Sequence, residues 1–248
     1  MRSDRLVVQD IRDEFKNLLV CQNFVTDKTG CKMLEIPGAS FVADEETIFR
    51  EVNKDYVKRE LEWYLSQSLN VNDIPGGPPK IWQQVAASDG TINSNYGWAT
   101  FSDENCNQYQ HARNELTKNP ESRRAVCIYN RPSMWYDYNY DGRSDFMCTN
   151  AVQYLVRDEK LHAVVQMRSN DLNAGYRNDR AWADYVLRLM AVELKVDVGN
   201  IYWQVGSLHC YQRDFYLIDH FTKTGEIHIS MNKYREMYPD SKNLDLMI

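Results

Sequence analysis

Cys148, in SDFMCTNAVQYLV, is the first residue of this chain whose type invites chemistry. A cysteine attacks as its thiolate, and the thiolate needs electropositive surroundings. Arg168 in QMRSND and the doublet Arg123-Arg124 in PESRRAV are the candidate cations. Spacing alone brings none of them beside the thiol, and a lone cysteine is equally a small buried apolar residue. Glu60, in KRELEWYL, has Trp63 and Tyr64 at i+3 and i+4. A carboxylate held against aromatic surface can serve as an acid or base, whereas an exposed helix glutamate does nothing of the kind. His209 and Tyr211, in VGSLHCYQRDF, alternate along a strand end, so their polar tips share one side and could grip a sugar hydroxyl or serve structure alone. Asp179, in GYRNDRAW, falls where a helix should begin, a place that favours a carboxylate through the helix dipole.

The elements that must position these residues follow from periodicity. Residues 5–19 carry amphipathic helical spacing, and residues 46–67 read as a second helix with Leu61, Tyr64, Leu65 and Leu69 on one stripe. Residues 32–43 are β-rich with a Pro-Gly break at 37–38, and 70–80 (NVNDIPGGPPK) is an ordered surface loop. Helical pattern returns at 103–118. Strands are expected at 124–130, 146–157 and 161–168, with a hairpin turn at 158–160. A helix fits 179–195, a strand 200–206, a helical stretch 211–221 and a short strand 226–230. Strands and helices without regular βαβ alternation predict an α+β fold around one large sheet.

The bulk numbers narrow the classes. The chain has 248 residues, 43% hydrophobic and 26% charged, which fits a globular protein in one domain, read as 1–248. Six Trp and 16 Tyr allow a large core with rings left to stack on flat ligands. A net charge of −6 argues against direct nucleic acid binding, although a local arginine cluster could hold a phosphate. The six cysteines form no C-x-x-C pair, so no metal site is expected. The charged N-terminal stretch does not read as a signal peptide, and no segment reads as a membrane span. These features predict a cytoplasmic protein with reduced thiols.

Taken in order, DKTG, ELEWYL, KIWQQ, NYGW, SRR, a lone Cys, QMRSND, a Gly-containing turn into a helix, and VGSLHCY resemble the thymidylate synthase superfamily over roughly residues 20–232. That family's ELLWFL helix, SRR segment, QRS-x-D strand end and THLY strand all have counterparts in the same order. Within it, EIPGASFVADE, PKIWQQVA, INSNYGWA, YNRPSM, SDFMCTN and MRSNDLNAGYRND are similar to the bacteriophage branch that hydroxymethylates dCMP. The departures agree. Met147-Cys148-Thr149 stands where synthases usually have Pro-Cys-His, and Asp179 stands where they carry a uracil-reading Asn. A carboxylate accepts from the cytosine amino group and, when protonated, donates to N3. The synthases' C-terminal tail over the folate has no recognisable counterpart in NLDLMI.

The resemblance implies a large mixed sheet flanked by helices and a sheet-to-sheet homodimer with shared active sites. It implies Cys148 as nucleophile toward C6, 5,10-methylenetetrahydrofolate as cosubstrate without a metal, and water as the final acceptor of the new carbon. Glu60 would handle the proton and order the water, and Asp179 would hold the cytosine. Trp82 and Asp171 would border the folate, with Tyr96 in the pocket near the nucleophile. Lys28, Arg168, Ser169 and Asn170 would serve the nucleotide with Arg123 and Arg124 from the other subunit, while His209 and Tyr211 hold the 3′-hydroxyl. It leaves room for a phage nucleotide-synthesis complex, for which the sequence carries no motif. The competing readings are thymidylate synthase, dUMP hydroxymethylase or dCMP methylase on the same scaffold, and a catalytically silent nucleotide-binding protein.

Overall fold

A computed structural model describes residues 5–239. In chain order the elements are α1 (Val8–Val20), β1 (Val25–Thr26), β2 (Lys32–Val42), α2 (Lys54–Ser66), α3 (Lys80–Val85), α4 (Tyr96–Phe101) and α5 (Gln108–Lys118). There follow β3 (Val126–Ile128), α6 (Met134–Asp137), β4 (Thr149–Arg157), β5 (Lys160–Asp171), α7 (Gly175–Leu194), β6 (Asp197–Tyr211), α8 (Phe215–Thr224) and α9 (Met231–Met237). The strands form one six-stranded sheet in the order β1-β2-β6-β5-β4-β3, with helices around it. This is the expected α+β class.

The chain divides into two compact units, Met1–Val52 with Ser169–Ala181 and Trp203–Ile248, and Asn53–Arg168 with Trp182–Tyr202. In the first, the apolar stripe of α1 (Val8, Ile11, Phe15) is buried, as are Leu34, Ile48, Phe49, Leu217 and Ile218. Phe49 meets Phe221 edge-on at 5.6 Å, and Phe24 stacks on Phe215 at 5.5 Å. Arg12 is buried here without penalty from unmet donors: it pairs with Glu45 and donates to the carbonyls of Thr47 and Ile48. In the second unit, Tyr64 stacks on Tyr96 at 5.2 Å and meets Trp182 edge-on at 5.2 Å. The Trp182 indole N–H donates to the Tyr129 hydroxyl at 3.0 Å, satisfying both polar tips in the interior.

Local chemistry explains where expected boundaries moved. The helix expected over 46–67 begins only at Lys54, because Asn53 Oδ1 accepts the Tyr56 amide and caps it there. Upstream, Ile48 and Phe49 are fully buried and Arg50 is left-handed at φ 69°, which a helix forbids. The KIWQQ and NYGW segments form the short helices α3 and α4. Gly97 in α4 is obligatory, since a Cβ there would lie 1.7 Å from the Tyr64 carbonyl. The expected strand at 226–230 is irregular; the Ile227 carbonyl accepts from the Arg50 amide, and Ser230 caps α9. Helix α7 starts at Gly175, so Asp179 lies within its first turns and not at its beginning.

The β4–β5 hairpin sets the register that matters for chemistry. Asp158 and Glu159 both take positive φ (50° and 59°), giving a two-residue turn closed by the Arg157↔Lys160 pair. A register shift between Thr149 and Ala151 then opposes Thr149 to Met167, and the Arg168 amide donates to the Cys148 carbonyl at 2.9 Å. Among the described residues no helix is long and apolar enough to cross a membrane, and no group of three or more His, Cys, Asp or Glu could hold a metal ion.

Candidate active site

The thiol comes first. Cys148 is half-buried immediately before β4. The guanidinium of Arg168 reaches it, with Nη2 at 3.7 Å from Sγ. That guanidinium is held by shorter bonds, Nε to the Met147 carbonyl at 3.0 Å and Nη2 to the Phe146 carbonyl at 2.5 Å, and lies over the Phe146 ring. A permanent cation fixed against a half-accessible sulfur stabilises the thiolate. Two other thiols differ. Burial pushes Cys127 up to about 12 and holds Cys210 well above the usual thiol range, so both stay neutral. Among the described residues no cysteine is in a disulfide.

The same unit holds Glu60, buried on α2 at 4% exposure. One turn earlier on the helix, Tyr56 donates its hydroxyl to Glu60 Oε1 at 2.6 Å. The Trp82 indole N–H is shared between Glu60 Oε1 at 3.1 Å and the Tyr56 hydroxyl at 3.0 Å. Burial first, and then the Glu60 charge, drive the Tyr56 pKa far upward, so its hydroxyl remains a donor. Both donors fix the carboxylate's rotamer. Tyr96, buried at the start of α4, stacks on Tyr64 beside this group. The contact of Glu60 with Trp82 was not among the expectations, which set Glu60 against Trp63 and Tyr64 of its own helix, and Tyr56 is a further addition that its i−4 position could have signalled.

Just upstream of Cys148, Asp145 is a buried carboxylate at 6% exposure. Its Oδ2 accepts the amides of Asn93 and Ser94 at 2.6 and 2.8 Å, and its Oδ1 accepts the Ser94 hydroxyl at 2.6 Å. Desolvation raises its pKa against the pull of these bonds. Its contacts tie the segment leading to Cys148 to the segment leading into α4.

In the other unit, Asn170 Nδ2 donates to Asp179 Oδ2 at 2.7 Å, and Asn170 Oδ1 accepts the Trp203 indole N–H at 3.2 Å. Gly175 makes room, since a Cβ there would lie 2.9 Å from Asn170 Nδ2. Asp171 Oδ1 accepts the amides of Asn173 and Ala174, both at 2.8 Å, and its Oδ2 meets Arg213 at 3.2 Å. Arg213 lies over the Tyr211 ring at 4.5 Å, and Tyr211 meets His209 edge-on at 4.9 Å. The Leu172 amide donates to the His209 carbonyl, fixing Asp171 near this pair. His209 is buried, with Nδ1 at 3.2 Å from the Ser207 carbonyl. A carbonyl only accepts, so Nδ1 carries a proton, and in the neutral ring Nε2 is the acceptor. Ser207 in turn hydrogen-bonds Glu35.

Ser169 is half-buried between Arg168 and Asn170 on β5. Lys28, Arg123 and Arg124 lie in exposed loops, and among the described residues no side-chain contact joins them to the other candidates. The residues that the sequence reading missed are Tyr56, Asp145, Trp203, Arg213 and the Ser207–Glu35 pair.

The family model for thymidylate synthase matches residues 13–236. The deoxycytidylate 5-hydroxymethyltransferase of Enterobacteria phage T4 is 56% identical over 245 residues, covering 96% of this chain and 100% of that protein. The protein of that name from phage T6 is also 56% identical, covering 95% and 98%. Thymidylate synthase of Bacillus subtilis subsp. natto is 28% identical over 62% of this chain and 56% of its own length. Among solved structures, thermostable thymidylate synthase A from Bacillus subtilis superposes with a TM-score of 0.67 at 20% identity, covering 88% of this chain and 84% of that one, a likeness of fold.

Proposed function

The chain belongs to the thymidylate synthase family, and from that premise we propose that it is a deoxycytidylate 5-hydroxymethyltransferase, a folate-dependent one-carbon transferase acting on dCMP as one domain. The observation that carries the reaction is the Cys148 sulfur held 3.7 Å from the Arg168 guanidinium. The identity to phage enzymes of that name over nearly the whole chain supports the branch.

Cytosine C5 is a weak nucleophile. Addition of the Cys148 thiolate to C6 breaks the ring's conjugation and places electron density on C5. When bound, methylenetetrahydrofolate supplies the one-carbon unit that joins C5 and leaves as tetrahydrofolate. Rupture of the bond from the new carbon to the folate nitrogen, with loss of the C5 proton balancing the proton that nitrogen gains, leaves an exocyclic methylene on the ring. Glu60, fixed by Tyr56 and Trp82, takes the proton of the water that adds to that methylene, and rupture of the C6–sulfur bond restores the aromatic ring and the thiolate. Asp179 accepts from the cytosine amino group and, when protonated, donates to N3. His209 Nε2 accepts the 3′-hydroxyl proton while the Tyr211 hydroxyl donates to its oxygen.

The residues present suit a folate: the Trp82 indole offers a flat π surface, and the Asp171 carboxylate is an acceptor for the N–H donors of a reduced pterin ring. Arg168 keeps a second terminal nitrogen for the nucleotide phosphate. Ser169 joins it, together with Lys28 and, in a homodimer with shared sites, the partner's copies of Arg123 and Arg124. Action in the host cytoplasm, and contacts with other phage nucleotide-synthesis enzymes, follow from the same reading.

The test is mass spectrometry of the product from purified protein, methylenetetrahydrofolate and either dCMP or dUMP. Hydroxymethyl-dCMP with tetrahydrofolate is expected. A methylated product with dihydrofolate would replace water by hydride, and a product from dUMP alone would overturn the substrate.

A further inference from the structure

We propose that Trp203 and Asn170 set the hydrogen-bonding polarity with which residue 179 reads the base, so that Asn170 is a positioning residue for nucleotide selectivity. The inference deepens the reading above and rests on it, since it takes Asp179 to face the base. Trp203 and Asn170 are both buried, at 0% and 3% exposure. An indole N–H can only donate, so the atom it meets at 3.2 Å must be the Asn170 oxygen. The amide orientation is thereby determined, and Nδ2 is the atom that points at Asp179 Oδ2, 2.7 Å away. Tyr176 packs edge-on against the Trp203 ring at 5.5 Å, and the missing Cβ of Gly175 leaves the amide its space.

A fixed donor at this point demands an acceptor from residue 179. A carboxylate supplies one with either oxygen and turns the other, also an acceptor, toward the base, where it meets the exocyclic amino group of cytosine. Replace the carboxylate by an amide and the same donor forces its carbonyl toward Asn170. Its NH2 then faces the base and meets the exocyclic oxygen of uracil. Residue 179 thus selects which base is read, and residue 170 ensures that it is read with one polarity only. Without Asn170, an amide at 179 turns either way and a carboxylate loses its fixed rotamer.

The experiment is a cycle of four proteins: wild type, Asp179→Asn, Asn170→Leu and the double variant. kcat and KM are measured separately for dCMP and dUMP. Asp179→Asn is expected to move preference toward dUMP. Asn170→Leu is expected to lower the dCMP-over-dUMP ratio of the wild type about tenfold, ~1.4 kcal/mol. In the Asp179→Asn background it is expected to move the ratio back toward dCMP by a similar factor. A merely structural defect would depress both substrates together and leave the ratio alone. A ratio untouched by Asn170→Leu in both backgrounds, with Asp179→Asn shifting it, overturns the polarity role; no shift from Asp179→Asn overturns the base-reading role itself. Trp203→Phe, which removes only the indole donor, carries the same test if Asn170→Leu fails to fold, with a smaller shift in the same directions expected and an unchanged ratio decisive against it.

Discussion

Cys127 and Cys148 flank the same pair of strands, and almost everything about them differs. Cys127 lies on β3 opposite Val152 of β4, fully buried, with its thiol driven up to about 12 by desolvation. Cys148 lies just before β4, half-buried, with a guanidinium against its sulfur. The first environment suits a small apolar filler, and the second favours a thiolate, as the nucleophile role proposed for Cys148 requires. Residue type does not separate them. What separates them is a cation that the β4–β5 hairpin delivers to one position only.

The strongest challenge to that contrast is Cys148→Ser. A serine hydroxyl in the same place lacks the thiolate, so turnover is expected to fall by several orders of magnitude while dCMP binding, followed by calorimetry, stays within a few-fold. Near-normal product formation would end the nucleophile assignment and the comparison with it. Arg168→Met comes next. Loss of the guanidinium removes the charge that favours the thiolate, so the apparent pKa for alkylation of Cys148 should move up. Each unit of that move is ~1.4 kcal/mol, or about tenfold in thiolate at neutral pH. Iodoacetamide labelling across pH, followed at Cys148 by peptide mass spectrometry, reads it directly. Arg168→Lys should recover part of the loss, and an unmoved labelling profile would mean that the cation does not act on the sulfur.

The delivery of Arg168 shows how far the sequence could be read. The two strands and their turn were legible from alternation and the DEK segment. An unbroken register from the Arg157↔Lys160 pair would oppose Cys148 with Ser169. The bulge between Thr149 and Ala151 moves the pairing by one residue and brings Arg168 there instead. Nothing in TNAV announces that bulge. The base-reading role proposed for Asp179 comes from the resemblance alone, while its helix register was misjudged because Gly175 and the Asp171 carboxylate start α7 one turn earlier. Trp203 was invisible for a different reason: its partner Asn170 is distant in sequence, and no local pattern encodes a side-chain pair between strands. Tyr56, by contrast, stood in view at i−4 from Glu60, and what hid it was that tyrosine on an amphipathic helix is usually core.

The smallest effect tests the other half of the contrast, that Cys127 is core and nothing more. Cys127→Ala should leave the kinetics of both substrates unchanged and cost about 1–2 kcal/mol of stability at neutral pH through lost packing. Its pH dependence is the sharper mark. The folded thiol titrates near 12 against an ordinary 9.0, so below pH 9 it is neutral in both states and its stabilising contribution is fully present. As pH rises past 9 the unfolded chain releases the proton and the folded chain keeps it, so the unfolded state binds fewer protons and stability falls, by up to ~1.4 kcal/mol per unit from this group. The raised thiol of Cys210 adds a slope of the same sign, which the variant retains. Urea melts of wild type and Cys127→Ala at pH 7.5 and pH 10 should therefore converge, with the variant less stable at the lower pH and nearly equal at the higher. Parallel losses at both would mean that water reaches Cys127 in the fold, and the two cysteines would then differ only by their arginine.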